Sequence, residues 1–475
     1  MSLKANLSAK DEKFRNFALN DNMWKVVLYV GTPLALYQSL NQLFKIFDSM
    51  MAAHISASSV SAVAYLSQIN LMLSALGGGL AIGSSLKISE AYGAGDYELV
   101  KKRVSSLFAM CGILGTAILL LLIPAAPQFL RFARTPESFI AEGTQYFRLE
   151  LIGMVISFFN NVYIAIERAR GNSRRILHLN MGVIAIKLSL TALFVYVLGA
   201  GINMISAATI VSQSFLLAAA VVNLNQKDNA FGFSFHSISL KPAVTKPMIF
   251  LSIPVIIEKI AFSFGKVIIN SMSTIYSALT VGALGISNNI GGITTMPQNG
   301  FQEGGSAIIS QSVGAGKPKR ALKAFGCILL INIILGATLM SFSLFFLDQV
   351  SALFAGNDGE FGRMIASIYR YEAYGAIPLG INAAVLALLY GFGRTKITLT
   401  INFCRVFVFR VPVLWYLQNF TDLGSTSVGI VMAVSNIATG IFALIIGLVE
   451  IHRICRQYDI TFSFMQKYLE TVQHS

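Results

Sequence analysis

Residues 88–96 read ISEAYGAGD and residues 309–317 read ISQSVGAGK. Ile, Ser, Gly, Ala and Gly recur in step, 221 residues apart in a chain of 475. Sliding the second half over the first at that offset extends the match. Pro33 falls on Pro254, Lys45 on Lys266, Gly79 on Gly300, Gly83 on Gly304 and Ser85 on Ser306. With one residue of slippage, Asp48-Ser-Met falls on Asn270-Ser-Met, and Arg148-x-Glu150-x-x-Gly153 on Arg370-x-Glu372-x-x-Gly375. Asn160 then meets Asn382, Gly171 meets Gly393 and Asn180 meets Asn402. Glycine triplets recur by chance in a chain with 39 Gly, but matches held in register across several segments do not. The chain reads as an internal duplication. The GAG loops themselves read as helix-ending turns, since glycine tolerates the left-handed stop. Neither is a nucleotide loop, because G-x-x-x-x-G-K-[ST] is absent.

Composition says where this duplication lives. The chain is 55% hydrophobic and 12% charged, with mean hydropathy +0.66. Soluble domains carry about 25% charged residues. Continuous apolar runs long enough to cross a bilayer recur along the chain, which excludes a β-barrel with its alternating pattern. The expected fold is an all-α polytopic membrane protein with twelve transmembrane helices in two six-helix lobes. The spans are placed at about 25–50, 59–83, 104–126, 144–166, 176–198 and 202–224, then 247–272, 280–305, 324–347, 364–391, 397–418 and 427–451. Residues 1–24 form a polar N-terminal segment without a cleavable signal pattern, 25–225 the N-lobe, 226–246 a linker, 247–451 the C-lobe and 452–475 a tail. Because six is even, both halves start on the same side, and the repeats are parallel about an axis along the membrane normal.

The net charge of +14 reflects loop Lys and Arg that orient the spans, and it does not point to nucleic acid. Alternate loops carry Lys101, Lys102 and Arg103; Arg168, Arg170, Arg174 and Arg175; Lys317, Lys319 and Arg320. Both termini are therefore expected in the cytoplasm, and the protein in a plasma membrane, the inner membrane of a bacterium. The four cysteines show no CxxC spacing and suggest no disulfide framework. The five histidines form no metal or catalytic pattern, so neither an enzyme nor a metal site is expected, beyond a sodium ion near Asp48.

Polar groups inside spans are costly and normally face a cavity or the bundle interior. Gln38, Asn41, Gln42, Lys45 and Asp48 lie three or four apart on one face of span 1. That stripe lines either a cavity or a polar lobe–lobe seam. Lys259, Ser263, Lys266 and Asn270 repeat the pattern in span 7, and Asn288, Thr295, Gln298, Asn299, Gln302 and Glu303 continue it in span 8. Asp48 reads either as an ion acceptor or as half of a pair with Lys45. Glu258, a turn beyond Pro254, reads either as half of an ion pair or as an ion-coupling acid. Glu150 and Glu372 read as structural charges near span ends. Lys187, Arg405 and Arg410 need partners, for which Asp48, Glu258 and Glu303 are candidates.

Several pieces, in order, resemble the multidrug and toxic compound extrusion (MATE) transporters. They are TPLALYQSLNQLFKIFDSMMAAHI at 32–55, GGGLAIGSS at 77–85 with ISEAYGAGD, IERARGNSRR at 166–175, SQSVGAGKPKRA at 310–321 and FRVPVLWYL at 409–417. The layout is nearest the prokaryotic DNA-damage-inducible (DinF-like) branch. The resemblance implies antiport, in which inward movement of H+ or Na+ drives export of amphipathic compounds as two lobes rock. It implies an ion-coupling role for Asp48, and for Asn180 in an N-lobe cation site, although Ile184 stands where an acid is expected one turn later. It places a span 7 glutamate at the position of Phe262, four residues past Glu258. Protons are favoured over sodium, because the N-lobe lacks a second matched carboxylate. A cavity lined by Gln38, Asn41, Gln42, Lys45, Asn160, Lys266, Asn270, Asn288, Gln298 and Asn299 would take a small amphipathic substrate. The lysines leave a zwitterionic or anionic substrate open. No cofactor is expected, lipid is the surrounding partner, and a monomer suffices. Two alternatives stay open: a lipid or lipid-linked oligosaccharide flippase of the same superfamily, and a non-transporting membrane scaffold or receptor.

Overall fold

The computed structural model describes residues 6–52, 57–132, 137–225, 229–355 and 358–460. In chain order the helices are α1 (Ala9–Asn20), α2 (Met23–Ala52), α3 (Ala57–Ala94), α4 (Tyr97–Leu122), α5 (Ala126–Phe132), α6 (Glu137–Ala169), α7 (Ser173–Ala192) and α8 (Ile202–Leu224). The second half holds α9 (Pro242–Ser273), α10 (Ala278–Gly314), α11 (Pro318–Phe345), α12 (Leu347–Ala355), α13 (Gly359–Ala373), α14 (Ala376–Gly391), α15 (Thr395–Phe407), α16 (Val411–Phe420) and α17 (Thr426–Gln457). Among the described residues nine helices are long and apolar enough to cross a membrane, ten when α13 and α14, bent by 49°, count as one span. α2 and α10 fall outside that set because the amides they carry lower their hydropathy. They pack on each other along the boundary between the lobes. α15 and α16 together make the eleventh span, broken around Val408–Arg410. The two halves each supply six spans, as the sequence pattern requires.

The duplication is written into the backbone. Gly95 (φ 82°), Gly171 (77°), Gly316 (67°) and Gly393 (70°) all stop helices in the left-handed conformation. Each is followed by a residue whose N–H reaches back to a carbonyl five positions earlier: Asp96 to Ala91, Asn172 to Glu167, Lys317 to Ser312 and Arg394 to Leu389. The helix-ending role expected of the GAG loops is what the chain shows, although the helices run further than expected, to Ala94 and Gly314.

The first glycine of each loop does something else. A Cβ on Gly93 would lie 2.0 Å from the Gln311 carbonyl oxygen, and one on Gly314 would lie 2.0 Å from that of Glu90. These contacts are the same contact made in both directions, since 90 and 93 correspond to 311 and 314. Gly79 against Ile256 and Gly300 against Ala35 repeat the relation further along. Two helix pairs, α3 with α9 and α2 with α10, therefore form equivalent lobe–lobe seams, and at each repeated glycine the backbones leave no room for a side chain.

The polar N-terminal segment, for which the sequence suggested no secondary structure, carries a helix. Residues 9–20 form a helix, capped by Ser8 accepting from the Asp11 N–H at 3.2 Å. α1 lies across the end of the bundle where the basic loops gather. Arg170 grips Asp11 through two hydrogen bonds of 2.9 Å, Asn229 donates to the same carboxylate at 3.2 Å, and Phe14 packs over Gly171. On the other lobe, Lys317 donates to the Leu19 carbonyl at 3.0 Å and Arg320 to that of Ala18 at 2.9 Å. The helix straps the two lobes together at their basic end. Too few apolar positions, and one buried carboxylate, hid it from a reading by hydropathy.

Candidate functional site

In the C-lobe, α9 carries Glu258 inward, one turn past the kink-prone Pro254. The side chain is 9% exposed. Tyr390 on α14 donates to both carboxylate oxygens, at 2.9 and 3.0 Å. From α15, Thr398 donates at 2.8 Å and Asn402 at 2.8 Å. Among the described residues its hydrogen-bond partners are neutral groups, so the ion-pair reading for Glu258 gives way to a carboxylate ringed by a phenol, an alcohol and an amide. Such a ring can hold a proton on the carboxyl. By turning its hydroxyl and amide oxygens inward, it can also present hard donors to a small cation.

The N-lobe places a different chemistry at the equivalent depth. A cavity of about 210 Å³ is lined by Tyr37 and Asn41 of α2, Asn160 of α6, Asn180 and Lys187 of α7 and Gln213 of α8, among others. Asn160 donates to the Gln213 backbone at 2.9 Å and to its side chain at 2.7 Å, while its own Oδ1 is buried without a partner. Asn180 donates to the Ile176 carbonyl at 2.8 Å. The Lys187 ammonium stands 4.8 Å from the centre of the Phe44 ring, a cation–π distance.

The remaining expected site residues separate into groups. Gln38 donates to Glu303 at 3.2 Å and Gln42 to the Asn289 carbonyl at 2.9 Å. Both thus serve the α2–α10 seam, and Glu303 also pairs with Arg168 at 2.8 Å. Gln298 is 1% exposed, with its amide donated to the carbonyls of Asn332 and Ala376. It braces α10 against α11 and α14. Asn288 donates to Leu284 at 2.9 Å, Asn299 lies 3.9 Å from the Met296 sulfur, and Asn270 is half-buried on α9. Lys45 and Lys266, on helices of opposite lobes, are exposed and lie within electrostatic reach of each other. The Asp48 side chain lies outside the described residues. Glu150 takes Ser206 at 2.7 Å and Asn70 at 3.2 Å. Arg370 pairs with Asp348 on the exposed side of α13, while Glu372, two residues on and so on the other face, turns inward to Ser287. Arg405 and Arg410 find neither Glu258 nor Glu303. Both donate to the amide oxygen of Asn436, at 3.0 and 3.1 Å.

Tyr390, Thr398 and Asn436 were not singled out from the sequence. Hydroxyls in apolar helices carry no periodic signal, whereas the amide in AVSNIATG was a visible polar residue in span 12.

The sequence profile of MatE matches residues 33–193 and again 254–416, once for each lobe. The chain belongs to the MatE family. A curated relative in the same family, the "Probable multidrug resistance protein YoeA" of Bacillus subtilis, is 21% identical over 85% of this chain and 88% of its own. "Protein DETOXIFICATION 38" of Arabidopsis thaliana is 20% identical over 82% of this chain and 77% of its own. Among solved structures, a MATE in complex with MaL6 superposes with a TM-score of 0.88 at 20% identity, covering 93% of this chain and 99% of that one. MatE proteins are membrane transporters, not enzymes, and the twelve-span, two-lobe architecture is the one their structures share.

Proposed function

We propose that this MatE protein is a secondary active antiporter that exports amphipathic organic compounds, driven by inward movement of H+ or Na+. The observation that carries the reading is the Glu258 ring. It is a carboxylate buried within a span and surrounded by four hydrogen bonds from neutral donors. A cation binding there changes the charge of a buried site, and a membrane interior makes such a change costly in one lobe arrangement and cheap in another. Asp48, on the outer part of α2, is the second coupling acid, with Asn180 beside the N-lobe cavity. The seams at Gly79, Gly93, Gly300 and Gly314 supply close-packed surfaces on which two lobes can rock. The protein works as a monomer in the plasma membrane, surrounded by lipid, with both termini and α1 on the cytoplasmic side.

Proteoliposomes test this with two dyes that share a xanthene ring system, cationic rhodamine 6G and anionic fluorescein, under an imposed pH or sodium gradient. Gradient-driven flux in wild type, lost in Glu258→Gln and in Asp48→Asn, is the expected result. Unchanged flux in folded Glu258→Gln removes that residue from coupling. Absence of flux under both gradients favours the second reading, a lipid or lipid-linked oligosaccharide flippase, for which Lys266, Arg405 and Arg410 are the supporting residues.

A further inference from the structure

Three cations gather inside the C-lobe, with fewer carboxylates than cations near them among the described residues. Lys266 comes from α9, Arg405 from α15 and Arg410 from the break before α16. Glu372 lies within electrostatic reach of all three. No carboxylate oxygen comes within the 4.0 Å ion-pair distance of any of them among the described residues. The hydrogen bonds they make go to neutral acceptors. Arg405 and Arg410 share the single Oδ1 of Asn436, and Arg410 also donates to Ser435 at 3.0 Å. The Arg405 Nε–H is buried without any partner. Phe262 stands between, with the Lys266 ammonium 5.1 Å and the Arg405 guanidinium 5.3 Å from its ring centre.

A cation in a span costs about 2.5–3.5 kcal/mol on insertion scales, and removing a charge from water normally requires a counter-charge. Among the described residues one carboxylate, Glu372, faces three cations. One amide oxygen cannot satisfy two guanidinium forks, and a donor is left unused. The cluster is also reachable. Arg410 is 4% exposed, Arg405 half-buried and Lys266 exposed within electrostatic reach of Lys45 on α2 of the other lobe, so the positive charge runs from an exposed edge to a buried floor. Guanidinium groups match planar or tetrahedral oxyanions through paired N–H donors.

We infer that this cluster binds the acid group of an amphipathic molecule: a carboxylate, sulfonate or phosphate ester, with an apolar body lying along the lobe gap. The inference rests on the transporter reading for its consequence, that cargo enters acid-first in the C-lobe, but binding itself requires no transport. The acid comes either from a soluble amphiphile or from an anionic lipid headgroup.

The test measures binding without a gradient, using the full chain in phosphatidylcholine nanodiscs and the polarisation of fluorescein and rhodamine 6G. Fluorescein binding is expected to weaken about tenfold or more in Lys266→Gln and in Arg405→Gln, with rhodamine 6G affinity unchanged or improved. Lys266→Gln, at the accessible edge, keeps the test alive if Arg405→Gln does not fold. Displacement of fluorescein on adding phosphatidylglycerol to the discs assigns the site to a lipid headgroup, and no displacement assigns it to a soluble acid. Wild type that binds rhodamine 6G but not fluorescein overturns the inference, as does folded Lys266→Gln that binds fluorescein like wild type. Charge-selective binding alongside absent gradient-driven flux leaves the site standing and removes the antiporter reading alone.

Discussion

Asn180 and Asn402 occupy the same position in the two halves of the repeat and have different partners. Asn180 donates to the carbonyl of Ile176 on its own helix, whereas Asn402 reaches across to Glu258. The residue in register with Glu258 is Tyr37, which lines the N-lobe cavity. One scaffold thus presents a ringed carboxylate in one lobe and an amide-rich cavity with a lysine in the other. Positions the halves share, above all the glycines, build the seams and helix ends. Positions where they differ give each lobe its own local chemistry.

The strap makes the largest test of lobe asymmetry. Its N-lobe anchor is a buried ion pair, and its C-lobe anchor is a set of carbonyl contacts. Asp11→Ala removes two charge-assisted hydrogen bonds from Arg170, which keeps its pair with Glu167, at about 1.5–3 kcal/mol for each bond lost. Arg320→Ala should cost about 1.5–3 kcal/mol or less, the range for a hydrogen bond from a charged group. Hydrogen exchange in α1 measures both, and equal effects would break the asymmetry. The same reading gives a pH dependence. Burial alone would raise the Asp11 pKa, but the hydrogen bonds and charge of Arg170, with Ser8 and Asn229, hold it below its ordinary 3.8. A lowered carboxyl pKa stabilises the strap fully above the ordinary value, and the stabilisation is lost as pH falls through the lowered one. Protection of α1, corrected for intrinsic rates, should stay flat from about pH 7 to about pH 5 and fall only in stronger acid.

Next in size are the seams. Gly93→Val and Gly314→Val each push a side chain into the facing backbone, and overpacking of this kind costs about 1–3 kcal/mol. Because the contacts are reciprocal, the two variants should lower thermal stability in nanodiscs by similar amounts, and a large inequality would deny the reciprocity of the α3–α10 crossing. A pair of corresponding asparagines separates the lobes most sharply. Asn402→Ala removes a donor from a carboxylate and should cost about 1.5–3 kcal/mol, against about 0.5–1.5 kcal/mol for Asn180→Ala. Denaturation of the two variants side by side reads the difference.

How much of this was legible follows from what each residue is asked to do. The repeat and its register were visible because a glycine pressed against another backbone, or stopping a helix at positive φ, has few substitutes, and the halves keep them in step. Glu258, Lys266, Arg405 and Arg410 stood out because charge in a span is rare. Their partners did not. Tyr390 and Thr398 read as ordinary members of apolar helices, and nothing in spacing tells that Gln38 and Gln42 bridge lobes while Gln298 braces a core. Those distinctions depend on which helix faces which, a property of packing between segments more than two hundred residues apart. α1 was hidden for a related reason, since its buried face is Asp11, Phe14 and Ala18, a pattern whose meaning depends on Arg170 waiting across the bundle.

The reciprocal crossing at Gly93 and Gly314 has the form of an isologous interface, where one copy's residue i meets j and the other copy's j meets i. In this chain both copies are covalently joined, by the segment that runs from the end of α8 to the start of α9. Two surfaces with the geometry of a homodimer thus meet at an effective concentration fixed by a short tether, of order millimolar for flexible linkers, at any level of expression. Each half is then free to accumulate its own polar residues without losing its mate, a division of labour that a true homodimer, bound to identical sequences, cannot reach.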